Sequence, residues 1–142
     1  MTLVETLLAV LVHGGLGAWL GAMAFFSFVG APTAFRTLDD ADAGTYVNAT
    51  FPTYYAVGGA LGAVALLSWA GLAALGGFDP ATLAGLAATL LGVGAFVYSR
   101  WVLVPKMERA GDDAFERYHR RSVLLNGTAM LAVAAALVAA HV

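Results

Sequence analysis

Residues 115–131 read FERYHRRSVLLNGTAML, and from Ser122 to the last residue, Val142, the chain carries no Asp, Glu, Lys or Arg. An uncharged run of this length matches the roughly 20 residues that cross a hydrocarbon core about 30 Å thick. The cluster Arg117, His119, Arg120 and Arg121 at its head then reads as an anchor, with long side chains reaching back to anionic lipid heads. Asn126 is a polar group inside the run. Left without a partner in hydrocarbon it would cost several kcal/mol, so it predicts a neighbouring helix that satisfies it.

Composition extends that reading to the whole chain. Of 142 residues 61% are hydrophobic and 11% charged, with a net charge of −2 and mean hydropathy of +0.81, outside the range of an average soluble domain. Cysteine is absent, which excludes disulfides and thiolate metal sites. High alanine and six arginines against one lysine point to a prokaryote and its plasma membrane.

Four spans are predicted, at about 4–29, 51–75, 81–104 and 118–140, as a single all-α domain over 1–142. The first is expected to stop at Gly30-Ala31-Pro32 and the third at Pro105, because proline interrupts a helix. Glu5 stands where a signal peptide would carry a basic residue, and the apolar run greatly exceeds a signal's core of about 7–15 residues, so the segment is expected to stay as a helix. The stretch APTAFRTLDDADAGTYVNAT (31–50) is predicted as a polar loop, its Asp39, Asp40 and Asp42 solvated, with Thr50 capping the second span. Asp79 or Pro80 is predicted to open the third helix, and Asp112 or Asp113 the fourth.

The basic residues set an orientation. Arg36, Arg100, Lys106, Arg109, Arg117, Arg120 and Arg121 all fall on the side of the first and third connections. The positive-inside bias then places loops 30–50 and 105–117 in the cytoplasm and both termini outside. The expected architecture is an antiparallel up-down four-helix bundle in the membrane.

Helical spacing places Thr6, Ala9, His13, Gly17, Leu20, Ala24 and Ser27 on one face of the first helix, with Trp19 on the other. The face of small residues is expected to pack, as do Gly17-xxx-Gly21, Gly58-xxx-Gly62 and the row Gly85, Ala88, Gly92, since close backbone approach drives association in lipid. Thr82, Gly85, Thr89, Gly92, Phe96 and Arg100 share a face of the third helix; His119, Ser122, Asn126, Met130 and Val133 share one of the fourth. If these faces meet, a polar pocket is lined by Tyr54, Tyr55, Arg100, His119, Ser122 and Asn126, with His13 at its floor.

No catalytic constellation, nucleotide-binding loop or nucleic-acid patch stands out, so the reading leans away from an enzyme. The first expectation is a small membrane protein that binds or passes a small solute or ion through the pocket, without a cofactor. One alternative is a redox protein holding haem or a metal on His13; His119 lies too far along the bilayer normal to be a second axial ligand. Another is an assembly partner, with its own copies or another membrane protein docking on the small-residue faces.

The patterns LVHGGLGAWLGAMAFFSFVGAPTAFR (11–36), FPTYYAVG (51–58), VPKMERA (104–110) and FERYHRRSVLLNG (115–127) resemble the transmembrane protein 205-like family, a group built on a four-helix membrane domain of unknown function. The resemblance singles out His13, Trp19, Gly21, Pro32, Phe51, Pro52, Tyr54, Tyr55, Pro105, His119, Ser122 and Asn126. The first pattern is also similar to helices of copper-resistance membrane proteins and of four-helix protoporphyrinogen oxidases.

Overall fold

The computed structural model describes the backbone of residues 1–142 and every side chain except those of residues 112 and 113. Among the described residues it contains helices and no strand. Helix α1 (Leu3–Phe25) runs through a π turn (Phe26–Gly30) into α2 (Ala31–Thr37), and α3 follows at Asp40–Gly76. Then α4 (Pro80–Tyr98) runs through a second π turn (Ser99–Leu103) into α5 (Val104–Glu108), and α6 occupies Asp112–Ala139. Four rods result, Leu3–Thr37, Asp40–Gly76, Pro80–Glu108 and Ala114–Ala139, each long and apolar enough to cross a membrane.

The rods alternate in direction and close a ring: α1 packs on α3, α3 on α4, α4 on α6 and α6 on α1. Both termini therefore share one end with the 77–79 turn, and every arginine and the lysine lie toward the other, which we call the basic end. At 37 residues, α3 is about 55 Å long at about 1.5 Å per residue, well beyond the hydrocarbon thickness.

The helices do not stop where proline predicts. Pro32 and Pro105 each sit just after a π turn, in which Ala31 N–H donates to Phe26 O and Val104 N–H to Ser99 O. A proline in a regular helix clashes with the carbonyl four residues back; the wider π turn relieves that clash, so the rod goes on. Pro52 lies inside α3 outright. The expected loop 31–50 is accordingly helical except at Leu38-Asp39. Asp39 rather than Thr50 is the cap, accepting from Asp42 N at 2.9 Å, while Thr50 Oγ1 donates to Tyr46 O. With Asp40 and Asp42 in the first turn, carboxylates meet the positive end of the helix dipole.

Asp79 opens α4 as expected, accepting from Ala81 N, Thr82 N and Thr82 Oγ1 at 2.8, 3.0 and 2.6 Å. Its pKa is held below the usual carboxylate value, chiefly by the Thr82 hydroxyl and then the Thr82 amide. Thr2 and Glu5 cap α1 reciprocally. The expected caps Asp112 and Asp113 have side chains outside the described residues; Gly111 holds the cap position of α6.

The core corrects the face expected for α1. Val12, Leu16, Trp19 and Met23 are buried, while His13 and Gly17 are exposed, so the packed face lies one residue, about 100°, from the predicted one. Trp19 turns inward because glycines on its neighbours leave room for it. A Cβ on Gly58 would sit 2.6 Å from its indole nitrogen, and one on Gly62 2.7 Å from its Cζ3. Gly85 makes the same room for Trp69, whose Cζ2 would lie 2.3 Å from an added Cβ. Gly58, Gly62 and Gly85 thus receive large rings, while Gly15 brings α1 close to Leu61 and Ala65 of α3. Gly17 and Gly21 have open space beside them, and the expected packing through that pair does not occur.

Candidate functional site

After the π turn the first rod changes neighbour. Helix α2 packs on α3 through Ala34, Ala43 and Val47, with Phe26, Ala31 and Phe51 against them, and does not pack on α6 as α1 does. Between α2 and α6 a cavity of about 460 Å³ remains, open on its side. Its wall is aromatic and apolar: Phe26, Phe28, Phe35, Phe51, Pro32, Val47, Val123 and Met130. The polar side chains in the wall are Ser27, Tyr54, Tyr55, His119, Ser122 and Asn126. Among the described residues no Asp, Glu, Lys or Arg side chain lines it.

Three of these polar groups come from distant parts of the sequence to join Asn126 and Ser122 on α6. The Tyr54 hydroxyl donates to Asn126 Oδ1. Asn126 Nδ2 in turn donates to Ser27 Oγ at 2.9 Å and lies 3.8 Å from Met130 Sδ. One helical turn away, Tyr55 Oη and Ser122 Oγ are 3.3 Å apart. Asn126 thus finds the neighbours its sequence position demands: Tyr54 on α3 and Ser27 in the first π turn. Spacing pairs Ser122 with Asn126, the FPTYY motif singles out Tyr54 and Tyr55, and Ser27 is left as one small residue among several; the signal for Ser27 is its position five residues before Pro32.

Below the cavity the bundle is filled. Phe96 has its ring centroid 5.3 Å from that of Tyr54, 5.1 Å from that of Tyr55 and 5.1 Å from that of Trp19. Phe26 and Phe51 flank the two tyrosines on the other side, at centroid distances of 4.9 and 5.8 Å. Leu16, Trp19, Phe96 and Val133 close the axis at 0–2% exposure.

Of the other predicted residues, His119 reaches the wall while Arg100 and His13 lie elsewhere. Arg100 is in the second π turn with its guanidinium 4.9 Å over the Trp101 ring and does not line the cavity. His119 is on the wall near the mouth but exposed, its ring stacked on Phe115 at 6.0 Å. His13 is not the floor: its Nδ1 lies 2.7 Å from Ala9 O, and it borders a separate recess near Asp79, Thr82 and Trp69. The two histidines therefore stand toward opposite ends of the bundle, with no shared site for a planar metal-bearing ring. Among the described residues no three His, Cys, Asp or Glu side chains are grouped closely enough to hold a metal ion.

Residues 14–116 match a family model described as a domain of unknown function, DUF4149. No curated protein and no solved structure matches the chain.

Proposed function

Since the chain belongs to the DUF4149 family, whose description assigns no activity, we propose from its geometry that it binds a small uncharged amphiphile drawn from the bilayer. The carrying observation is the side-opening cavity of about 460 Å³ with one internal polar cluster and, among the described residues, no formally charged side chain in its wall. Volumes of this order suit small-molecule sites, where an apolar lining supplies affinity and a few polar groups fix orientation. Binding is favoured over passage because the axis beyond Asn126 is plugged by Trp19, Leu16, Phe96 and Val133. An opening between α2 and α6 lets an apolar tail remain among lipids while a polar head reaches Tyr54, Asn126 and Ser27.

The same proposal places the basic end in the cytoplasm, where its arginines meet anionic lipid heads. It also keeps the closer kinship to the transmembrane protein 205-like family, on the strength of FPTYY and HRRSVLLN.

The test uses Nile red, an uncharged probe that brightens in apolar sites, with purified protein in a short-chain detergent. Gly127 lines the cavity and has open space where a Cβ would stand, so Gly127→Phe is expected to fill the site without displacing the backbone. Saturable probe binding by the wild type, lost in this variant with thermal stability retained, is the expected result. Equal binding by both would overturn the reading.

A further inference from the structure

We infer that the ligand is a planar ring bearing two carbonyl acceptors, of the membrane-quinone type; the inference rests on the binding role proposed above and names the chemistry of its site. Hydrogen-bond arithmetic within the cavity leads there. Asn126 Nδ2 has two hydrogens, of which one goes to Ser27 and the other meets only the weak acceptor Met130 Sδ at 3.8 Å. The Ser27 hydroxyl accepts that bond and has the Tyr54 hydroxyl beside it as an acceptor for its own hydrogen, so the surplus hydrogen at this level is the second one on Asn126. The Tyr55, Ser122 and Ser99 hydroxyls carry three hydrogens and share two contacts, Tyr55 with Ser122 and Tyr55 with Ser99, leaving one over.

The site therefore presents a spare donor at each of two levels, the second Asn126 hydrogen and one hydroxyl of the Tyr55–Ser122 cluster. Ser122 and Asn126 are four residues apart on α6, so the levels are separated by about 5–6 Å, the scale of the distance between oxygens on opposite sides of a six-membered ring. A ligand complementary to such a wall offers acceptors and few donors. No cation lines the site, so a carboxylate or phosphate would lack a counter-charge. The flanking surfaces are Phe26, Phe51, Tyr54 and Tyr55, and aromatic rings at such spacing accept a further flat ring in offset or edge contact. The side opening between α2 and α6 gives an isoprenoid or alkyl tail its route to the lipid.

Three molecules with one carbon skeleton separate the terms: durene without oxygens, duroquinone with two acceptors, and durohydroquinone with two hydroxyls. Each is titrated against Nile red bound to the full-length protein in detergent, in wild type, Asn126→Leu, Ser122→Ala and the double variant. Two hydrogen bonds at about 0.5–1.5 kcal/mol each imply half-displacement by duroquinone at roughly tenfold lower concentration than durene. Durohydroquinone should fall between them, and the double variant should reduce the duroquinone advantage to about twofold or less. Durene equalling duroquinone, durohydroquinone surpassing it, or an advantage unchanged in the double variant would each overturn the quinone inference while leaving a binding cavity in place. Displacement by a phospholipid or a sterol but not by duroquinone would do the same. Failure of Nile red to bind the wild type saturably would remove the cavity reading and the inference together.

Discussion

Asn126 concentrates the chemistry of the bundle in one side chain, since its amide joins α6 to α3 through Tyr54 and to the first π turn through Ser27. Asn126→Leu removes both bonds and breaks the link from α6 to Tyr54 and Ser27, at about 1–3 kcal/mol. A detergent-unfolding titration should show a midpoint lowered accordingly. Tyr54→Phe, which removes one bond and strands less, should cost about half as much, and the double variant should cost less than the sum because the two residues are coupled. At the opposite end Asp79 gives a pH-dependent effect. Its carboxyl is held below its ordinary value by the Thr82 hydroxyl and neighbouring amides. The stabilisation is thus fully present above the unfolded carboxylate pKa and fades as pH falls through the lower folded one. Asp79→Asn should flatten the acid limb of a thermal-stability profile below about pH 4; an unchanged limb would show that the cap contributes nothing.

Among the elements, the two π turns govern the shape of the site. Each adds a residue to a turn just before Pro32 or Pro105, and the first one brings Ser27 against Asn126 and sends α2 toward α3 instead of α6. Pro32→Ala removes the clash that the π turn relieves. Helicity by circular dichroism should stay constant while Nile red affinity falls severalfold; Pro105→Ala, remote from the cavity, should leave that affinity unchanged. The glycines that admit the indoles act through packing. An added methyl on Gly85 meets Trp69 at 2.3 Å, whereas one on Gly94 meets nothing within 4 Å. Gly85→Ala should therefore destabilise by about 1–3 kcal/mol and Gly94→Ala should be neutral or slightly stabilising, as measured by unfolding in detergent.

Which features were legible in the residues follows from the same physics. The helices, their number and the Asp79 cap are written in hydropathy and turn chemistry. The packed face of α1 is not, because lipid and core are both apolar and hydrophobic periodicity cannot tell them apart; reading small residues as the inner face placed His13 inward and Trp19 outward. The rings fill the gaps that the glycines of α3 and α4 provide, information that α1 does not carry. Pro32 and Pro105 misled for a different reason: proline marks a disturbed hydrogen-bond ladder, and whether the helix stops or widens depends on what the continuing turns pack against. For α2 that is Ala43 and Val47. Asn126 and Ser122 were readable as a pair by their spacing, and Tyr54 and Tyr55 by the FPTYY motif, while Ser27 required the π turn.

At the scale of the whole molecule, a ring of four rods places all seven basic residues toward one end and both termini at the other. The absence of cysteine makes the resulting topology directly measurable. Ala110→Cys, in the connection before α6, should react with an impermeant maleimide only in inside-out vesicles. Phe78→Cys, in the exposed turn before α4, should react only in right-side-out vesicles. Reversal of that pattern would invert the bundle and move the cavity to the outer leaflet.

Trp19 and Trp69 are sealed in the interior with their indole nitrogens unpaired among the described residues, whereas Trp101 is 69% exposed. The protein therefore carries two dry chromophores and one that faces its surroundings. Excited near 295 nm, the interior pair should emit at short wavelength and resist brominated lipid, while Trp101 should be quenched by it. Trp19 lies edge-on to Phe96, which touches both tyrosines of the cavity wall, so its emission supplies an optical readout of occupancy that requires no label.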